Sequence, residues 1–367
     1  MENPKAELFT VALIYIKPIE LGAVTVMLDE RWWGTVPSAY GDGNDYTLGR
    51  IGEHNVVIVG PPHGAQGTVA TAQFVSTIHL TFPNVKIGLL VGIGGGIPHY
   101  PDRDVRLGDV VVGAPEKGSA VIQYDLGERT QRGFEIKRTL AKPPGLLLQV
   151  MNKVENKSKY IRDGENGLLK SHLARFASFP QMEKEHGKPS TPDRLFEPTF
   201  AHEEHVDCDA HDSSHEIQRH SREANDDIAI HYSTILSGGS VMKSPTDRDM
   251  LSAKHNNARC IEMEAAGLMD VFPCLVIRGV SDYADSHKNK AWQGFAAATA
   301  AAYAREVLIN MPKQMFSVTG SRDITRGTGE GSLPPDSNHR TGFSGAENHG
   351  VQVGYNHGHM TNYFGKH

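Results

Sequence analysis

Acidic residues set among apolar ones are the first sign of chemistry in this chain. Ile261-Glu262-Met263-Glu264-Ala265-Ala266-Gly267 places two carboxylates at the start of a helical stretch. Arg278-Gly279-Val280-Ser281-Asp282-Tyr283-Ala284-Asp285 follows an apolar run that reads as a buried strand. An aspartate just past a strand's carboxyl end stands where open α/β sheets hold their ligands. Carboxylates there can exchange protons with a substrate or accept its hydroxyls. Each motif alone also suits a plainer role, as a helix cap or on a solvated face. A third motif, Gly92-Ile93-Gly94-Gly95-Gly96-Ile97-Pro98, continues from apolar Val85–Val91. It reads as a strand-end loop whose backbone N–H groups, at Ile93, Gly94 and Gly95, approach a ligand, or as a tight turn packed under the sheet. A dinucleotide fingerprint would open a helix here, whereas Pro98 and Pro101 follow and the next element is a strand. No Gly-Lys-Ser/Thr ends the run, so it is not an NTPase phosphate loop.

The elements that must position these residues alternate. Phe9–Ile16, Asn55–Gly60, Val85–Val91 and Leu107–Gly113 read as strands. Pro18 suits a first helical turn, and that helix is predicted to run to about Arg31. Thr68 to Phe82 carries Val69, Ala72, Val75, Ile78 and Phe82 at helical spacing, and Pro83 closes it. After a polar stretch the pattern resumes, with strands at His231–Leu236 and Cys274–Val280 and an Ala-rich helix at Gly294–Met311. This rhythm predicts a largely parallel sheet covered by helices. The polar stretch, about 155–229, reads as an insert. Residues 314–367 hold few large apolar side chains and should be disordered when alone.

Composition narrows the classes. A formal net charge of −6 argues against a general nucleic-acid coat. No apolar run reaches the length of a membrane-spanning helix, and Met1 to Thr10 is too polar for a signal peptide. Three cysteines, Cys208, Cys260 and Cys274, make no disulfide framework and point to a reducing cytoplasm.

The Gly-rich segment, the IEMEAAG block and the strand-end SDYAD, in this order, resemble the purine nucleoside phosphorylase and methylthioadenosine/adenosylhomocysteine nucleosidase superfamily. The resemblance is to its fungal branch, found at the N-terminus of many NLR-type receptors. YTLGRIG, VGIGGGIP, LGDVVV, VIQYD and CLVIRGVSDYADSHKNKAWQGFAAATAAAYA carry it, over about residues 8–312. It implies a three-layer α/β/α domain with a mixed, mostly parallel central sheet, spanning 1–312 and forming a homo-oligomer. The activity implied is cleavage of a purine N-glycosidic bond, without a cofactor.

By the same resemblance Asp282 is the acid that protonates the leaving base, with Ser281 positioning it. For that role its pKa must rise, and burial beside other carboxylates would raise it. Glu264 is placed on the ribose hydroxyls, Met263 against the sugar, and Glu262 in the same pocket. Val241 and Met242 match the segment that flanks the base. Phosphorylases of this superfamily carry Gly-Asp-Pro-x-Arg after the first strand, and Ser or Thr in the Gly-rich run. This chain has Ile16-Lys17-Pro18-Ile19-Glu20 and Ile93 instead. Glu20 falls where the nucleosidases hold a water-activating glutamate. A carboxylate there repels phosphate and accepts a water proton, so hydrolysis is expected, with adenine as the base and phosphorolysis as the alternative. A ligand-binding pseudoenzyme would have lost one of Glu20, Glu264 and Asp282, and all three are present. Lys17, Arg50, His63, Arg103, Arg106 and Lys243 lie near loops that could reach a 5′-phosphate; each also reads as an ordinary solvated cation.

Two segments stand outside this core. His202, His205, Cys208, His211 and His215 have zinc-ligand types at short spacing, but without a fixed finger pattern. The plainer reading is a solvated excursion, and no metal site is assigned. The tail, 313–367, contains 342–364, where Gly350, Gly354 and Gly358 recur and Val351 and Val353 alternate around Gln352. Low charge, no proline and Gly/Asn spacing suit stacked cross-β chains. This segment resembles the prion-like sigma motif of fungal NLR-type receptors and their effectors, which implies a receptor partner.

Overall fold

The structure is a computed structural model, and it describes residues 4–131, 133–136, 140–160, 167–202, 213–222, 228–313, 355–356 and 359–360. Two compact units divide the chain, Met1–Phe316 and Ser317–His367.

In the first unit β1 (Val11–Ile14) leads into α1 (Pro18–Val26). The strands β2 (Glu30–Trp32), β3 (Thr47–Ile51) and β4 (His54–Val59) follow. Then come α2 (Thr68–Val75), α3 (Ile78–Thr81), β5 (Ile87–Gly96), β6 (Val110–Gly113) and β7 (Val121–Gln123). A small hairpin, β8 (Gly127–Thr130) and β9 (Gly133–Ile136), precedes α4 (Gly145–Tyr160), α5 (Lys170–Leu173) and α6 (Pro180–His186). The chain returns to the sheet with β10 (Ile230–Ser233) and β11 (Ile235–Ser237), then α7 (Pro245–Lys254) and β12 (Cys260–Glu262). Last come α8 (Ala265–Leu268), β13 (Leu275–Asp282) and α9 (Gln293–Asn310).

The sheet has the spine β10-β6-β13-β5-β1-β4-β3-β2. β1 pairs parallel with both β4 and β5, and β13 pairs parallel with β5 but antiparallel with β6. Both faces are covered, which is why the strands read as unbroken apolar runs. Val11 and Leu13 enter one core cluster with α1, α4 and α9 side chains, while Ala12 and Ile14 enter another with Phe74, Ile78 and Leu268. The expected mixed, mostly parallel sheet with helices on both sides is the fold observed.

Local expectations needed four corrections. The helix after Pro18 ends at Val26, and Glu30–Trp32 instead pairs antiparallel with β3. The helix at Thr68 breaks at Ser76 and Thr77. Their hydroxyls bond the Gln73 and Phe74 carbonyls, and this competes with helix continuation. His231–Leu236 is two strands. Most important for the site, Gly92–Gly96 is no loop: it is the second half of β5, and all ten residues of that strand are buried. Side chains from neighbouring strands fill the space where β-carbons would lie. A β-carbon on Gly94 would strike Cys260, and one on Gly96 would strike Val280. Glycine is required there by close approach rather than by a turn.

In the second unit, Tyr355–Asn356 pairs antiparallel with His359–Met360. The remainder of the expected 342–364 motif lies outside the described residues.

Candidate active site

Three carboxylates and one guanidinium meet beside the carboxyl ends of β1, β5 and β12. Glu20 enters from the first turn of α1, where unpaired amides and the helix dipole favour an acid. Its Oε2 accepts the N–H groups of Ile16 and Lys17, each at 2.8 Å, and its Oε1 accepts the N–H of Ile93 at 2.9 Å. Those three donors fix the orientation of a side chain that is only 2% exposed.

Arg278 projects from β13 and is wholly buried. It donates through Nη2 to Glu262 Oε2 and, at 3.3 Å, to Glu264 Oε2. Its Nε and Nη1 have no hydrogen-bond partner among the described residues. Burial alone would lower its pKa; the charges of Glu262, Glu264 and Glu20 carry it above the usual value instead. Gly92 lies between this guanidinium and Glu20, and a β-carbon there would collide with both. Glu262 also caps α8, its Oε2 accepting the N–H groups of Glu264 at 3.1 Å and Ala265 at 3.0 Å. Glu264 is pushed up to about 7. Burial is the main cause, Glu262 and Glu20 add to it, and Arg278 opposes it. Met263, half-buried, donates its N–H to Glu264 Oε2 at 3.4 Å.

A second group forms at the end of β13. The register against β5 slips between Val280 and Asp282, so Ser281 is skipped. Such a bulge re-aims the side chains beside it. Ser281 Oγ donates to Asp282 Oδ2 at 2.9 Å, and the Ala284 N–H donates to Asp282 Oδ1, also at 2.9 Å. Lys288 Nζ stands 2.8 Å from the same Oδ1. Asp282 thus has Lys288 as its ion-pair partner and Asp285 as its carboxylate neighbour, while Glu262 and Glu20 surround Glu264. Gly95 passes close by; a β-carbon on it would lie 3.1 Å from Asp282 Oδ1. Gly94 offers its carbonyl 3.3 Å from Ser281 Oγ. Met242 packs in a cluster with Ile261 and Ala284, whereas Val241 is exposed and is not brought into the site.

Where it is described, the insert is mostly exposed or half-buried, as expected, but it is anchored to the domain at a few points. Asp193 Oδ1 accepts from the Tyr283 hydroxyl at 2.6 Å, and Arg219 donates to that hydroxyl at 2.8 Å and to the Asp193 carbonyl at 2.9 Å. Phe196 stacks on His287 at 4.2 Å, and Phe200 on His215 at 4.3 Å. Pro192 and Phe196 thus help to wall a recess of about 30 Å³ beside Ser281 and Asp282, room for about one water. His186 is a buried core residue, stacked on Phe176 with Nε2 2.8 Å from the Ile19 carbonyl. His205, Cys208 and His211 lie outside the described residues, and among the described ones no three groups are placed to hold a metal.

Sequence reasoning passed over Arg278, Lys288 and the Asp193–Arg219–Tyr283 clamp. Arg278 carried a usable signal, because a lone charge inside an apolar strand must have buried partners. Of the cations expected near a 5′-phosphate, Arg50 pairs with Glu30 and Arg106 with Asp104. Arg103 lines a far larger cleft that none of Glu20, Glu264 or Asp282 reaches. Size favours that cleft, but the converging acids favour the strand ends, and chemistry decides the assignment.

The fold is shared with solved nucleosidases. A methylthioadenosine/adenosylhomocysteine nucleosidase of Neisseria meningitidis superposes with a TM-score of 0.51 at 17% identity, over 82% of this chain and 99% of that one. One assigned to that activity from Borrelia burgdorferi, bound to adenine, gives 0.52 at 15%, over 82% and 99%. Residues 28–309 match the Phosphorylase superfamily, and the chain belongs to that family. Residues 340–362 match the SesB domain on fungal death-pathway protein. A nucleotide-binding leucine-rich repeat (NLR)-like protein of Hyaloscypha variabilis is 38% identical over 303 residues, 82% of this chain but 29% of that protein. The ATP nucleosidase Cap17 of Escherichia coli is 34% identical over 79 residues, 20% of this chain and 16% of that enzyme. This chain therefore spans less than a third of the length of either relative. No helix among the described residues is long and apolar enough to cross a membrane.

Proposed function

We propose that this protein is a purine N-ribosyl hydrolase that releases adenine from an adenine nucleoside or nucleotide. The observation that carries the reading is Glu20, held by three backbone N–H groups next to Arg278. A phosphate dianion placed there would meet Glu20, Glu262 and Glu264 with one guanidinium to balance them. A water suits the same place: Glu20 can accept its proton, and Arg278 Nη1, which lacks a partner among the described residues, can donate to it.

In the reaction Glu264 takes the ribose hydroxyls, with Met263 beside the sugar and Glu262 bracing both Glu264 and Arg278. The water oxygen bonds to C1′ as the C1′–N9 bond breaks. One water proton passes to Glu20, and Asp282, set by Ser281, delivers a proton to N7 of the leaving base. Lys288 must part from Asp282 as the base arrives. Similarity to an ATP nucleosidase supports a nucleotide substrate, and the adenine-bound structural neighbour supports the base. The SesB match and the NLR-like relative support a cytoplasmic cell-death or defence effector, triggered by a receptor through the C-terminal segment.

Digests of adenosine, AMP and ATP, separated by chromatography with and without phosphate, test the reading. Adenine with free ribose or ribose phosphate is expected in phosphate-free buffer. Strict phosphate dependence, with ribose-1-phosphate as product, would make it a phosphorylase. Binding without any base release would make it a pseudoenzyme.

A further inference from the structure

The large cleft away from these acids has a volume of about 1460 Å³, and β10 and α4 contribute to its lining. Arg103 and Arg259 both line it, and neither forms an ion pair among the described residues. Arg103 Nη1 is buried with no hydrogen-bond partner among those residues. Arg259 is half-buried, and its Nη1 lies 3.1 Å from His231 Nδ1. His231 Nε2 in turn faces Asp109 Oδ2 at 2.8 Å. Nε2–H donates to the carboxylate and Nδ1 accepts from Arg259, so the imidazole brings no negative charge. Asp109 is spent elsewhere: it accepts from Arg222 at 2.6 and 2.9 Å and from the backbone of Arg106 and Ala229. Burial and then the charge of Arg103 both lower the pKa of Arg259, as expected of two cations that share a space.

Half-buried guanidinium groups without a counter-charge are costly, and an anion would relieve both. Their forked donors fit phosphate oxygens, and Lys117, exposed in the same lining, adds a further cation. Seven lysines and arginines line the cleft against two glutamates, Glu116 and Glu155, and this positive balance calls for a multivalent anion rather than a single carboxylate. Met151, Ile228 and Tyr232 supply apolar wall on which a base could lie. We infer that this cleft binds a nucleoside oligophosphate through Arg103 and Arg259, at a site separate from Glu20, Glu264 and Asp282.

Calorimetry on the full chain tests this with tripolyphosphate, which has no glycosidic bond to cleave. Saturable binding is expected, weakened about tenfold or more by Arg103→Gln or Arg259→Gln and unchanged by Asp282→Asn. Adenosine hydrolysis by the two cleft variants, without the probe, should match the parent. Arg259→Lys keeps the charge but loses the fork, and it should give a smaller loss of affinity if the glutamine variant fails to fold. In an Asp282→Asn background, ADP should bind more tightly than pyrophosphate at a site that adding Arg103→Gln abolishes, because its base adds contacts in the cleft. Equal affinities would overturn the nucleoside part, leaving bare phosphate as the ligand. Undiminished tripolyphosphate binding in both cleft variants, or its loss in Asp282→Asn, would overturn the site. A drop in oligomeric mass in the cleft variants, with no probe binding to the parent, would overturn it too, by making the cleft a contact with a second copy.

Discussion

Replacing Glu264 with glutamine should change the pH dependence of stability as well as catalysis. In the folded protein its pKa is pushed up to about 7, against 4.5 for the free group. The folded state therefore binds the Glu264 proton more tightly than the unfolded chain. Stability from this group is fully present below pH 4.5 and is lost as pH rises through 7. Two and a half units at about 1.4 kcal/mol each give a loss on the order of 3–4 kcal/mol, most of it between about pH 5 and 8. The glutamine side chain of Glu264→Gln carries no proton to lose, so the variant lacks this slope. Relative to the parent it should gain on the order of 2–3 kcal/mol between about pH 5 and pH 8, whatever its offset at either end. Urea unfolding followed by circular dichroism at about pH 5, 6, 7 and 8 measures the difference, and other titrating groups largely cancel in it. The same variant should show weaker substrate binding and slower turnover, since the carboxylate on the ribose hydroxyls is gone. A stability difference that is flat with pH, or that moves against the variant as pH rises, would refute the buried cluster of Glu264 with Glu262, Glu20 and Arg278.

Three further outcomes follow from the geometry. Asp282→Asn should still bind ligand but lose roughly 10²–10⁴-fold in turnover, measured as adenine release; full activity would remove the assigned acid. Tyr283→Phe deletes the hydroxyl that joins Asp193 to Arg219, and should cost about 1–3 kcal/mol in urea unfolding because both partners are left short of a bond. An unchanged midpoint would mean the insert is not clamped there. Deleting 314–367 should leave hydrolysis in vitro intact, while a peptide of 342–367 should form fibrils with the roughly 4.7–4.8 Å cross-β reflection; a peptide that stays monomeric when seeded would return the segment to a linker.

Much of the architecture was legible because the information is local. Apolar runs such as Val11–Ile14 and Leu275–Val280 are buried on both faces, so they read as strands without reference to partners. Pro18 marked the helix start, and the order of the glycine, IEMEAAG and SDYAD motifs carried the family. Glu20, Glu264 and Asp282 were named from that order, and the fold brings all three to strand ends. What the tertiary structure decided are the things that depend on residues far apart in the chain. Gly92–Gly96 looked like a loop because glycine is a turn signal, yet it is strand. Only the packed sheet puts Arg278, Cys260 and Val280 where its β-carbons would be. The carboxylate partners of Arg278 lie 14 and 16 residues before it, and they reach it only because β12 and β13 both pair with β5. Asp282 was expected among acids and has Asp285 near it, but a one-residue register slip and the loop beyond it also set it against Lys288, which no local pattern announced. The insert read as solvated because it is polar, and few of its described residues are buried. What that polarity did not show are the anchors: Asp193 and Arg219 on Tyr283, and Phe196 on His287, contacts that exist only once the chain has closed on itself.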